Sequence, residues 1–230
     1  MRTTGLIAIL ILLVAVNGWA ADFQWPSQMS IGGFQITDIR GTVRPDGSGS
    51  ATGTLQVPNL GDSAVTLARN SRGDISGNAS MDMRGVRGSF ALSSSGLRGQ
   101  GTVECSPKSI VDASMSISPR GEVAGSGRLG LGRLVASVDF SVNNSGCSFR
   151  GAAPVRAQVD TPIATYKFDG NLALQGAAGR AAGTVSGRVE RTSKVGNQVT
   201  SVTIPNTAVD LSNGQCTVNV GGVSVTFSLF

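Results

Sequence analysis

The chain has 230 residues, 19 basic and 14 acidic side chains, and no histidine. Hydrophobic residues make up 40% and are spread evenly, which excludes a disordered polymer; aromatics at 5% and the lack of a basic cluster leave nucleic acid no stacking platform. Acid–base chemistry near neutral pH lacks its usual group, no ligand cluster with metal spacing occurs, and the chain reads as non-enzymatic, with no cofactor.

The chain opens with Arg2, an unbroken apolar run of 12 residues from Gly5 to Val16, and then Asn17, Gly18, Trp19, Ala20 and Ala21. These are the charged, apolar and small-residue regions of a secretory signal. Cleavage after Ala20 places Gly18 and Ala20 at the small-residue positions, whereas cleavage after Ala21 would put bulky Trp19 there. The expected division is a signal at residues 1–20 and a single exported β-rich domain at 21–230, periplasmic or extracellular. The rival is an uncleaved anchor. The 19 residues from Thr3 to Ala21 carry no charge and approach the ~20 needed to span a bilayer, so residues 3–21 would then be the membrane contact. Losing Arg2 with a signal takes the net charge from +5 to +4. Of the basic residues 16 are Arg, scattered singly. Arg84, Arg128, Arg156 and Arg188 fall on the polar phase of their segments, which indicates a solvated face first and contact with anionic lipid or polysaccharide second.

Beyond the amino terminus the pattern is alternation. Between Gly73 and Gly85, Ile75, Gly77, Ala79, Met81 and Met83 alternate with Ser76, Asn78, Ser80, Asp82 and Arg84. Successive side chains of a strand point to opposite faces, so this segment has one oily face and one wet face. The expected strands run, in chain order, over 51–57, 64–68, 75–83, 89–93, 101–105, 111–117, 122–131, 134–142, 146–150, 155–159, 164–175, 182–191, 198–204, 207–211, 215–220 and 223–229. In the sixth, Val111, Ala113, Met115 and Ile117 form the apolar phase; in the eighth, Leu134, Ala136, Val138, Phe140 and Val142 do. Turn signals separate them, among them Pro45-Asp46-Gly47, Pro58-Asn59, Asn70-Ser71-Arg72-Gly73, Pro119-Arg120-Gly121, Asp169-Gly170-Asn171 and Asn213-Gly214. The fold class is therefore all-β: about fifteen short antiparallel strands in a meander, with no helix beyond the amino terminus.

One-sided strands must cover their oily face. Either the faces meet in a closed sandwich, or a folded-over sheet open along one seam lines an apolar groove, or an outer-membrane barrel turns them to lipid. The barrel needs aromatic girdles, and Phe230 falls out of register with the final apolar phase of Val223, Val225, Phe227 and Leu229. Met81, Met115, Val138, Phe140 and Val225 are the expected apolar lining; these and Tyr166 and Phe168 should be buried, with Asp82, Ser114, Asp139 and Lys167 exposed.

Cys105, Cys147 and Cys216 all lie in phase with apolar neighbours and face inward. An exported chain favours one disulfide; spacing does not choose among the three pairings, and the similar Asn/Gly-turn contexts of Cys147 and Cys216 favour bridging those two. Other motifs have plain readings. Gly125-SGRL-Gly130 fits a dinucleotide-binding pattern inside an alternating strand with no helix after it; Arg72-Gly73-Asp74 is turn chemistry; Lys108 beside Ser106-Pro107 is a solvated loop residue. Val138-DFSVNNSGCS-Phe149 and Val209-DLSNGQCT-Val218 are similar, which indicates repeated hairpins without a fixed period.

The amino-terminal apolar segment, the Gly-rich β texture after it, and the stretches Gly146-CSFRGAAPVRAQV-Asp160 and Val209-DLSNGQ-Cys216 together resemble the type II secretion system protein N family and the wider AsmA-like envelope proteins. The resemblance implies an anchored periplasmic β structure serving secretion or envelope lipid transport, with no cofactor and no catalytic residue to carry over; this chain departs from it where its anchor has a cleavable, signal-like form. The expected function is that of a noncatalytic cell-envelope protein binding a protein partner or lipid through a sheet surface or groove; the alternative is a structural or adhesive surface protein with a closed β core.

Overall fold

The computed structural model describes residues 23–106 and 108–230; the expected export segment lies outside them. The described chain is strand after strand: β1 (Met29–Ile31), β2 (Phe34–Val43), β3 (Gly49–Val57), β4 (Gly61–Arg69), β5 (Ile75–Met83), β6 (Val86–Ser93), β7 (Gly96–Cys105), β8 (Lys108–Ile117), β9 (Val123–Leu131), β10 (Leu134–Asn143), β11 (Gly146–Asp160), β12 (Ala164–Ala177), β13 (Arg180–Ser193), β14 (Val199–Val209), β15 (Gln215–Val220) and β16 (Val223–Ser228). The first fourteen form one antiparallel sheet in chain order, and β15 and β16 form a separate hairpin. Among the described residues no helix is long and apolar enough to cross a membrane.

The large sheet curls into a half-barrel. Cys105 at the end of β7 and Cys147 at the start of β11 form a disulfide with Cα atoms 5.1 Å apart. Four inter-strand steps of about 4.8 Å would hold those strands ~19 Å apart in a flat sheet, so the sheet must bend back on itself to join them. Hairpin tips meet as well: the Asn59 side-chain amide in the β3–β4 turn donates to the Arg120 carbonyl in the β8–β9 turn at 2.8 Å.

Inward glycines make room for this curvature. A Cβ on Gly99 would stand 2.6 Å from the ring of Phe90, its direct cross-strand partner, so the aromatic lies over the space that glycine leaves. Phe149 over Gly176 repeats the arrangement, and Phe140 stands opposite Gly125.

The apolar phase closes on itself. Met81, Met115, Val138, Phe140 and Val225 are 2%, 4%, 3%, 5% and 4% exposed, and Tyr166 and Phe168 are equally buried. Asp82, Ser114, Asp139 and Lys167 are exposed, as alternation predicts. The C-terminal hairpin contributes Cys216, Val218, Val220, Val225 and Phe227 to the same core, with the Phe227 ring 5.7 Å from that of Phe168 on β12. The architecture combines two of the expected arrangements: a folded-over sheet whose first and last strands do not pair, with its interior filled by its own side chains.

Several expectations need correction: the strands expected at 146–150 and 155–159 are the single strand β11, and those expected at 198–204 and 207–211 are the single strand β14. The disulfide joins Cys105 to Cys147, not Cys147 to Cys216, and Cys216 is a free, buried thiol opposite Phe227. The pairing follows from the curl, which carries the end of β7 onto β11; similar turn contexts carry no information about that closure. Val111 also departs from its phase. β8 slips register against both neighbours near Asp112, whose φ is +49°, so Ile110 and Ala113 both point inward while Val111 is 43% exposed.

Candidate functional site

With the inward face used for packing, the chemistry this chain can offer lies on the outward face and the edges. Strand pairing aligns outward residues into rows that cross the sheet. One row runs Ser80, Ser89, Gln100, Ser114, Ser126, Asp139, Arg150, Gln175 and Ala182, each directly opposite the next, from β5 to β13. Eight inter-strand steps make this a polar track of roughly 38 Å along the curve.

The track deepens where small side chains sit among long ones. Over β10–β13 a shallow depression is walled by Asp139, Ser141, Ser148, Arg150, Gln175 and Arg180 and floored by Ala177 and Ala182. Asp139 and Arg150 also border a second depression over β8–β11, lined by Asp112, Ser114, Ser126, Arg128 and Ser137, so the two join as one furrow across the strands. Arg128 in the furrow meets Asp112 at 3.5 Å, whereas among the described residues neither Arg150 nor Arg180 is in an ion pair.

Elsewhere on this face the charges neutralise one another in register. Arg87 stands opposite Asp82 at 3.0 Å and Arg156 opposite Asp169 at 3.1 Å, all four side chains being more than two-thirds exposed. Such pairs specify register more than they stabilise. With Arg128 paired to Asp112, Arg150 and Arg180 are the basic groups of the furrow that remain available.

Three carboxylates fall below their ordinary range, each through turn hydrogen bonds. The Ser48 hydroxyl and amide lower Asp46, the Thr165 hydroxyl and Gln158 amide lower Asp160, and the Ser212 hydroxyl and amide lower Asp210. All three are exposed turn or strand-end groups and remain anionic, the form least suited to proton donation at neutral pH. Burial pushes the Cys216 thiol up, which disfavours the nucleophilic thiolate. Among the described residues no three His, Cys, Asp or Glu side chains gather as a metal cluster.

The remaining sequence motifs find structural explanations, with one correction: Lys108, expected in a solvated loop, is the first residue of β8, half-buried and opposite Cys105. Gly125 to Gly130 lie inside strand β9. In the Arg72-Gly73-Asp74 turn, the Asn70 side-chain carbonyl accepts from the amides of Arg72 and Asp74 at 3.0 and 2.9 Å, and Gly73 has φ +95°. The lining residues singled out from the sequence are buried on the inward face: Met115 and Phe140 share one inward row across Gly125, Val138 sits opposite Gly151, and Val225 belongs to the hairpin that packs over β12. The furrow itself was not singled out from sequence, because its rows depend on cross-strand register. No protein-family model matches the chain, and comparison with curated proteins and with solved structures finds no match.

Proposed function

We propose that the chain is a noncatalytic exported protein of the cell envelope that works by binding, and that its partner is an extended polar or anionic polymer, polysaccharide in class, laid across the outward face. The observation carrying this reading is the furrow from β8 to β13, in which Arg128, Arg150 and Arg180 stand among serine hydroxyls and Gln175 at strand-spaced intervals. A long shallow track suits a polymer better than a compact ligand, which needs a concave site burying most of its surface. Guanidinium groups present fixed forks of donors to carboxylate or phosphate, and hydroxyls and amides read sugar oxygens. The envelope setting rests on the signal-like amino terminus and on the disulfide, which persists in an oxidising compartment.

Lipid carriage, the other version of the expected function, would use the inward face, and Met115 and Val138 are packed there against protein. The test separates the two. Purified protein should sediment with polysaccharide-rich envelope material from its source cells, and Arg150→Glu with Arg180→Glu should weaken this at least tenfold while leaving the melting temperature within about 3 °C, as exposed charges do. Binding unaffected by the reversals overturns the reading. Stoichiometric lipid in gently purified protein, lost in a Met115→Arg variant that still folds, would establish the lipid version instead.

A further inference from the structure

The large sheet ends in an open edge. β14 pairs with β13 on one side; on the other, among the described residues, its carboxyl end alone is met, by the C-terminal hairpin at the Asp210–Gln215 bridge. The opposite edge of the sheet is blunted by its shortness, since the strand that ends it, β1, has three residues. β1 lies beside β2, the Ile39 amide donates to the Ser27 carbonyl at 3.1 Å, and the Trp25 indole N–H donates to the Thr42 carbonyl at 3.2 Å.

Native edges are usually blunted by charges, proline or bulges, or kept very short; Pro205 and the bulge beside it act on the carboxyl half of β14 and leave Val199–Ile204 without such a device. β14 is eleven residues long, reads Val-Thr-Ser-Val-Thr-Ile-Pro-Asn-Thr-Ala-Val, and contains no charged side chain. Its first residue, Val199, is 61% exposed, and the adjoining turns add Ile163 at 59% and Val195 at 81%, tied together by the Lys194 amide donating to the Ile163 carbonyl at 2.9 Å. Three of the six large hydrophobic side chains that stand exposed among the described residues therefore gather at this one end of the open edge.

We propose that β14 is a strand-addition surface and that its occupant is β14 of a second copy of this chain, paired antiparallel about a two-fold axis through Val202. That register sets Val202 against Val202, Ser201 against Thr203, and Thr200 against Ile204. Phase is preserved, because an axis through a residue pairs even positions with even and odd with odd; the inward residues of one copy continue the inward face of the other, and half-buried Val202 gains cover. A strand without charges brings no like charges together on self-pairing. Pro205, which has no amide to donate, falls opposite Val199 at the limit of the paired stretch, where its missing donor costs least. A strand from another protein would satisfy the same backbone groups; self-pairing is favoured because the edge's own sequence supplies a matched register. A contact of seven residues per copy is at the small end of specific interfaces, so the dimer is reversible and concentration-dependent.

Sedimentation velocity from micromolar to several hundred micromolar protein tests this. The wild type should pass from monomer to dimer over that range. Ser201→Lys with Thr203→Lys places lysine opposite lysine across the axis, and Ser201→Glu with Thr203→Glu places glutamate opposite glutamate; each double variant should stay monomeric, and their equimolar mixture should recover the dimer. Both positions are exposed and outward, so circular dichroism and melting of all forms should match the wild-type monomer. A wild type that stays monomeric throughout, a double variant that dimerises like the wild type, or a mixture that stays monomeric overturns the proposal.

Discussion

Replacing both Cys105 and Cys147 with serine removes the covalent tie across the curl, and its effect can be estimated from chain statistics. The two residues are 42 apart in sequence, and closing a loop of that length restricts the unfolded chain by about 4 kcal/mol in the entropy model. The tie joins strands that are four apart in the sheet, so it closes the half-barrel, where no ladder hydrogen bonds connect the two strands. For a chain of this size about 4 kcal/mol corresponds to a fall in melting temperature of roughly 8–16 °C. The assay is thermal unfolding followed by far-ultraviolet circular dichroism, alongside peptide mapping of non-reduced protein. The wild type should yield one bridged peptide pair containing Cys105 and Cys147, with a Cys216 thiol that reacts after unfolding. Cys216→Ser, which leaves the bridge intact, should cost less, in the range of about 1–3 kcal/mol for placing a hydroxyl in an apolar site. If the map shows Cys147 joined to Cys216, or if the double variant melts with the wild type, the curl described here is wrong.

Gly99→Ala puts a methyl group against the Phe90 ring and the neighbouring strand, and should destabilise by about 1–3 kcal/mol in urea titration without changing the strand content. Val138→Arg places an unpaired charge in the core and should cost at least about 3–5 kcal/mol, read as loss of soluble folded protein. Asp169→Asn, by contrast, removes one partner of an exposed pair and should change stability by less than about 1 kcal/mol, with the difference shrinking in high salt. Asp46, Asp160 and Asp210 have folded pKa values below their unfolded ones, so their stabilising contribution is present above about pH 4 and is lost as pH falls through the lowered values; carboxyl chemical shifts followed by NMR should show all three titrating below the ordinary aspartate value.

Alternation alone placed nearly every strand, because a period of two written into Met81, Met115 or Phe140 survives any way of folding the sheet. It fails where the backbone changes phase without changing composition. At Asp112 a left-handed residue inserts a bulge, and Val111, a β-branched residue that fits either face, swings outward; nothing in the local residues marks that step. Pro154 caused the opposite misreading. It divides the expected strands 146–150 and 155–159, yet β11 runs through it, because β10 pairs with β11 only as far as Ala152 and Pro154 has a strand neighbour on one side only. The disulfide and the furrow were beyond reach for a shared reason. Both depend on which residues of distant strands come together, and curvature and register are set by inward glycines and turns acting jointly rather than by any one segment.

Methionine oxidation measures most directly whether the inward face is a closed core. Under dilute hydrogen peroxide at neutral pH, peptide-resolved mass spectrometry should show Met81 and Met115, 2% and 4% exposed, oxidising at least tenfold more slowly than the partly exposed Met29 and Met83, before and after a detergent wash that strips any lipid. The protection should vanish together with the sheet in urea. If Met81 and Met115 oxidise in the native protein as fast as Met29 and Met83, or become reactive after the wash, the face is an open lining and the half-barrel is not filled by its own side chains.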